Sequence, residues 1–204
     1  MNTLQALKKH QKALSQCQLC HAMTGPVVTG KAVPSAILLV GQAPGDKEGP
    51  AGKPFAWTAG KTMFKWFASI GLDESDFRNR VYMSAVCRCF PGKNPKGGDR
   101  VPSSDEIASC QQWLNREITL LQPELIIPVG KLAISQFLPI DKLVHIIGQS
   151  HPLIRNKRKI DLIPLPHPSG ASTWHRTEPG LSLLHQALHL IEHHTAWQKV
   201  ALNH

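Results

Sequence analysis

Four groups of residues in this 204-residue chain are of types that do chemistry. Cys17 and Cys20 form a Cys-x-x-Cys pair, a spacing that lets two thiolates reach one metal centre, and Cys87, Cys89 and Cys110 raise the cysteine count to five. Zinc and redox sites share such a pair, so the spacing alone does not choose between them. Gly41-Gln42-Ala43-Pro44-Gly45-Asp46-Lys47-Glu48 is a glycine-rich segment. Its backbone can approach a ligand closely and present N–H donors to an anion. It lacks the Gly-Lys-Ser/Thr ending of a Walker loop, and read blandly it is a tight turn with solvated charges. Downstream, Phe55 sits in Gly52-Lys53-Pro54-Phe55. An aromatic ring there either anchors the loop or stacks on a planar base. In His167-Pro168-Ser169-Gly170-Ala171-Ser172, a histidine that follows an apolar run can donate to a developing anion or act as an acid or base. With Arg176 it makes a loop suited to a phosphate or a groove. His185, His189 and His193 recur every four residues; the spacing can hold a metal, but it reads as a solvated helix face.

These groups are spaced by elements that the apolar pattern reveals. Four short apolar runs, Ala36 to Val40, Val81 to Val86, Glu124 to Val129 and Ile160 to Leu165, read as buried parallel strands. Helical patterns cover residues 2–16, Gly60 to Ile70, Ser104 to Leu121 behind a capping box at Ser103 and Glu106, Lys131 to Leu138, and Leu181 to Thr195. The alternation predicts a three-layer α/β/α sandwich around a central four-stranded parallel sheet, in one domain spanning residues 1–204. Phe90 to Ser104, rich in Gly, Pro, Lys and Asn, reads as a long functional loop, and Asn156 to Lys159 as a basic hairpin or loop. Four polar motifs each follow a strand: Gly41 to Gly45, Cys87-Arg88-Cys89 with the long loop, Gly130-Lys131, and His167 to Gly170. Open parallel sheets bind ligands at the carboxyl ends of their strands, so the motifs converge on one rim.

Composition sets the partner class. The net charge is +9, which favours a polyanion, nucleic acid being the commonest. No apolar run reaches membrane-span length, and the N-terminus lacks the features of a secretory signal. A cytoplasmic protein without membrane contact, acting as a monomer, is expected, and disulfides are not.

Taken in order, the motifs resemble the iron–sulfur uracil-DNA glycosylases first described in thermophiles. The resemblance runs from Cys17 to about Arg176. It comprises the Cys-x-x-Cys pair, Gly41 to Gly45 with Glu48, Gly52-Lys53-Pro54-Phe55, Val81-Tyr82 through Cys89-Phe90-Pro91 with Asn94, Ser103 through Cys110, Pro123 to Gly130, and His167-Pro168-Ser169. It implies a 4Fe–4S cluster on Cys17, Cys20, Cys89 and Cys110, with Cys87 a spare buried thiol and a competing third ligand. It implies a monofunctional glycosylase that hydrolyses the N-glycosidic bond of uracil or another deaminated base in DNA. His167, Gln42, Asp46 and Glu48 would be the catalytic residues. Gln42, Ala43, Phe55, Ser84, Ala85 and His167 would bind the base, and Ser169, Gly170, Ser172 and Arg176 the DNA.

The chain departs from that family in two places. Gln42 stands where the family has Glu, and an amide cannot act as a general base. Ala85, beside Ser84, stands where the family has the Asn that reads the uracil edge. The loop Lys93 to Pro102 contains no His, so the covalent product trap of one relative is not expected. These departures keep a second reading open, a DNA-binding module on the same fold with little or no excision. A zinc-ribbon protein is a third.

Overall fold

A computed structural model describes residues 2–155, 157–170 and 172–202. In chain order its elements are α1 (Thr3–Leu14), β1 (Ile37–Gly41), α2 (Glu48–Ala51), α3 (Thr58–Ala68), α4 (Glu74–Arg80), β2 (Tyr82–Ala85), α5 (Ser104–Leu121), β3 (Leu125–Pro128), α6 (Lys131–Ser135), β4 (His151–Arg155), β5 (Arg158–Leu162), α7 (Gly180–Glu192) and α8 (Thr195–Leu202).

The strands order as β2-β1-β3-β5-β4. All neighbours are parallel except β4, which runs antiparallel beside β5. The sheet therefore has five strands, not the four expected. The unforeseen strand, β4, alternates between half-buried and exposed residues and contains Pro152, so it carries no continuous apolar run. An edge strand with one face in solvent needs none, and it tolerates proline. The basic segment before the fourth expected strand is the turn of this hairpin. Lys157 adopts a left-handed φ of 61° there, and Asn156 lies outside the described residues.

Period-two alternation along β1 sorts the layers. Ile37 and Leu39 face α3, α4, α7 and α8, packing with Phe67, Phe77, Leu188 and Trp197. Leu38 and Val40 face α1 and α5, packing with Leu7, Leu114 and Ile118. The three-layer sandwich is thus as expected. The helix α5 begins at the expected capping box, the Ser103 and Glu106 side chains each bonding the other's backbone. Three helices were not anticipated: α2 inside the glycine-rich segment, α4, capped by Asp73 accepting from the Asp76 N–H, and α8, beyond the last helix expected. Among the described residues no helix is long and apolar enough to cross a membrane.

Register aligns the strand ends. Gly41 pairs with Ala85, Val40 with Pro128, and Val129 with Leu165. Each strand hands its following segment to the same rim.

Candidate active site and metal centre

The rim encloses a cavity of about 650 Å³. Gln42, Ala43, Asp46, Glu48, Phe55, Ser84, Ala85, His167, Ser169 and Gly170 all line it. Ser172 and Arg176 do not. The Arg176 Nε donates to the buried His175 Nε2 at 3.3 Å, and Arg176 flanks a separate depression with Lys65, Trp66 and His185. Ala171 lies outside the described residues.

Phe55 is held in place by its surroundings. Its φ of 53° is left-handed, and the Arg78 guanidinium clamps the turn, donating to the Pro54 carbonyl at 2.9 Å and the Phe55 carbonyl at 3.1 Å. A side chain at position 41 would meet the Phe55 ring at 2.9 Å, and one at position 60 would meet the Phe55 carbonyl oxygen at 1.8 Å. Gly41 at the end of β1 therefore makes room for this ring, and Gly60 within α3 for the Phe55 main chain.

His167 is set by Gly130, whose φ is 85° and where a Cβ would lie 3.0 Å from the imidazole. The Ser169 N–H donates to Nδ1 at 3.3 Å, which leaves the ring proton on Nε2. Burial, and then the nearby His175, hold the imidazole below its usual pKa. At neutral pH it is an uncharged ring with one N–H to offer.

The two acidic candidates separate. Asp46 is exposed and engaged by Lys93 at 3.3 Å, and Lys93 in turn bonds Asp99 at 2.7 Å. This latch joins the glycine-rich segment to the long loop, whose Gly97, Gly98 and Arg100 also border the cavity. Glu48 is half-buried, and burial pushes its carboxyl up to about 7 against the backbone N–H groups of Phe55 and Gly45 and the Arg78 charge. Glu48 thus exchanges a proton near neutral pH and Asp46 is tied in an ion pair.

Ser84 differs from expectation. It lines the cavity, but its hydroxyl is committed to Glu117 Oε2 at 2.8 Å and accepts from Arg88 at 2.5 Å. Glu117 is fully buried on α5, where it also accepts from the Tyr82 hydroxyl at 2.9 Å and is paired with Arg88 and with His10 of α1. Burial alone would raise Glu117, yet these partners hold it at about 2. Nothing local in the sequence signalled this network, because its members lie on α1, β2 and α5. Ala85 contributes only a methyl group to the cavity wall.

A second cavity, of about 230 Å³, is lined by Cys17, Cys20, Cys89 and Cys110. The Cys-x-x-Cys pair follows the end of α1, Cys89 follows β2, and Cys110 lies on α5. Main-chain bonds between Thr24 and Phe90, at 2.8 and 3.2 Å, clamp the two loops together. Cys87 is fully buried and does not line this cavity. Its thiol hydrogen-bonds to Cys110, which is the main reason Cys110 falls to about 6, while Cys87 itself is driven far up by the same bond and by burial. On α7 and its C-terminal cap, His189 and His193 are exposed and lie near Glu192, while His185 belongs to the depression beside Trp66.

A parallel sheet whose strand ends gather a glycine-rich turn, a loop phenylalanine and a His-Pro-Ser loop around one cavity defines a class. The Uracil DNA glycosylase superfamily profile matches residues 28–189, and the chain belongs to that superfamily. Within it, the chain is similar to the Type-4 uracil-DNA glycosylase of Sulfurisphaera tokodaii, 29% identical over 178 residues, 84% of this chain and 76% of that protein. It is similar to those of Archaeoglobus fulgidus (29% over 175 residues, 83% of each chain) and Thermotoga maritima (27% over 168 residues, 81% of each chain).

Proposed function

We propose that the protein is a monofunctional glycosylase that removes uracil from DNA by hydrolysing its N-glycosidic bond. The observation that carries this is the convergence of Phe55, His167 and Glu48 on one cavity at the strand ends. The damaged nucleotide leaves the stack and enters the cavity. Phe55 stacks on the base, and backbone N–H groups at Gln42 and Ala43 hold its carbonyl oxygens. As the bond between base and sugar breaks, its electron pair moves onto the base. The His167 Nε2–H stabilises that charge where it develops, an effect larger in the transition state than in the bound substrate. Water, oriented by the Gln42 amide, bonds to the sugar carbon and gives its proton to Glu48, which then returns it to solvent or to the departing base. Asp46 serves the Lys93 latch instead. Ser169, Gly170, Ser172 and Arg176 contact the DNA backbone beside the cavity.

The donor set of the second cavity fits a 4Fe–4S cluster, with four cysteine sulfurs reaching one space of suitable size. Cys17, Cys20, Cys89 and Cys110 would hold it. Cys87, outside that space, is a thiol hydrogen-bonding to the Cys110 sulfur rather than a ligand. Once bound, the group would supply structural cross-linking of α1, α5 and the long loop.

A uracil-containing duplex treated with protein and then alkali tests the enzymatic reading, strand cleavage being expected. Ala85, with no side-chain donor for the base edge, favours a second reading, a DNA-binding module with little excision. Retention of the same duplex in a gel without cleavage would select it. Running uracil, hypoxanthine, xanthine and mismatched thymine side by side identifies the preferred base.

A further inference from the structure

The mouth of the base cavity carries an aromatic side chain with no role in the chemistry above. Trp57 is the N-terminal cap residue just before α3, two residues after Phe55, and lines the same cavity. It is 55% exposed, whereas Trp66, Trp113, Trp174 and Trp197 are half-buried or buried. A single exposed apolar residue needs no explanation by itself. This one stands at the entrance to a cavity that the proposed function fills with a nucleobase, on a chain of net charge +9. One ring face is marked for a cation, since the Lys61 ammonium sits 5.9 Å from the ring centroid. Lys61 is one turn further along α3 and exposed, so it can leave the ring for a phosphate.

We infer that Trp57 is a stacking subsite for the base next to the flipped nucleotide, with Lys61 taking the phosphate between the two. This rests on the glycosylase reading. Flipping removes one stacking partner from each neighbouring base. Phe55 on the cavity floor compensates the flipped base, and the Trp57 face compensates its neighbour. Aromatic stacking is tolerant of base identity, so the subsite adds affinity without sequence preference, and it favours strands whose neighbouring base is easily unstacked.

The test uses the full chain and a single-stranded oligonucleotide carrying one 2′-fluoro-2′-deoxyuridine, which resists excision, and the same strand with the base deleted on one or the other side of it. Trp57→Ala should weaken binding about tenfold and Trp57→Phe far less. Deleting the stacked neighbour should cost the wild type the same factor and cost Trp57→Ala nothing further. Trp57→Leu, apolar but not planar, should behave like Ala. Because the residue is exposed, all three variants should melt at the wild-type temperature. Wild-type affinity retained by Trp57→Ala, or an equal loss on every strand, would overturn the subsite. A wild type that binds the fluorouridine strand no better than a thymine strand and releases no uracil from an ordinary deoxyuridine strand would instead remove the glycosylase reading beneath it.

Discussion

Removing the His167 imidazole should cost on the order of a hundredfold in single-turnover excision, because one pre-placed donor to a developing anion is worth about 3 kcal/mol. His167→Ala should keep most of its affinity for DNA, and a wild-type rate in rapid-quench measurement would contradict its role. Glu48 sets the pH dependence. Its carboxyl titrates near 7, so excision should climb as pH rises through that value and level off above it. Glu48→Gln should be slow at every pH, with the climb abolished. The same group acts in the opposite direction on stability. Its folded-state pKa is raised, so the folded protein holds a proton that the unfolded chain has lost between the usual carboxylate value and about 7. Its contribution is complete below that window and is lost as pH rises through it, and Glu48→Gln should melt higher than wild type at pH 8. That the Glu48 carboxyl is pushed up toward neutral pH was not legible in the sequence, which places it in one segment with Asp46. Burial of Glu48, and the Lys93 latch on Asp46 from a loop nearly fifty residues away, separate the two.

At the scale of elements, strands buried on both faces were readable because their apolar runs are continuous, and α5 because its capping box is local. The edge strand β4 was not, since a half-solvated strand with a proline leaves no such run. The helix α4 did carry a signal, Asp73 followed by acidic and then basic residues, at a length too short to show periodicity. The Glu117 network was invisible for a different reason: it is made of pairings between elements, and a buried Glu looks like any other helix Glu in sequence. Its energetic weight should be large. Removing its charge leaves Arg88 buried without a counter-ion, a situation that costs about 3–5 kcal/mol. Glu117→Ala should therefore lower the urea midpoint strongly, and an unchanged midpoint would show the pair to be idle. The cysteines separate by cavity. Cys89→Ala should yield protein without the brown colour of a thiolate-bound cluster, absorbing near roughly 400 nm, and Cys87→Ala should keep it. The reverse pattern, or zinc without iron on metal analysis, would overturn the ligand set.

For the whole molecule, the +9 surplus should make DNA affinity fall at least tenfold or so between about 50 and 200 mM salt, as displaced counterions return to the phosphates. Fluorescence anisotropy on undamaged duplex measures this, and a flat salt response would contradict it. The order of the strands has a further consequence, for the way the chain folds. β1 sits between β2, more than forty residues later, and β3, more than eighty residues later, while β5 joins the sheet beyond both. Among the described residues, the β4–β5 hairpin is the one strand pairing that joins segments only a few residues apart. Loop closure makes distant pairings slow, so the hairpin should form first and the parallel centre last. On the ribosome, the first half of the sheet emerges long before the strand that precedes His167. Until then β3 has an open edge, and the newly made chain is at its most prone to aggregate in that interval.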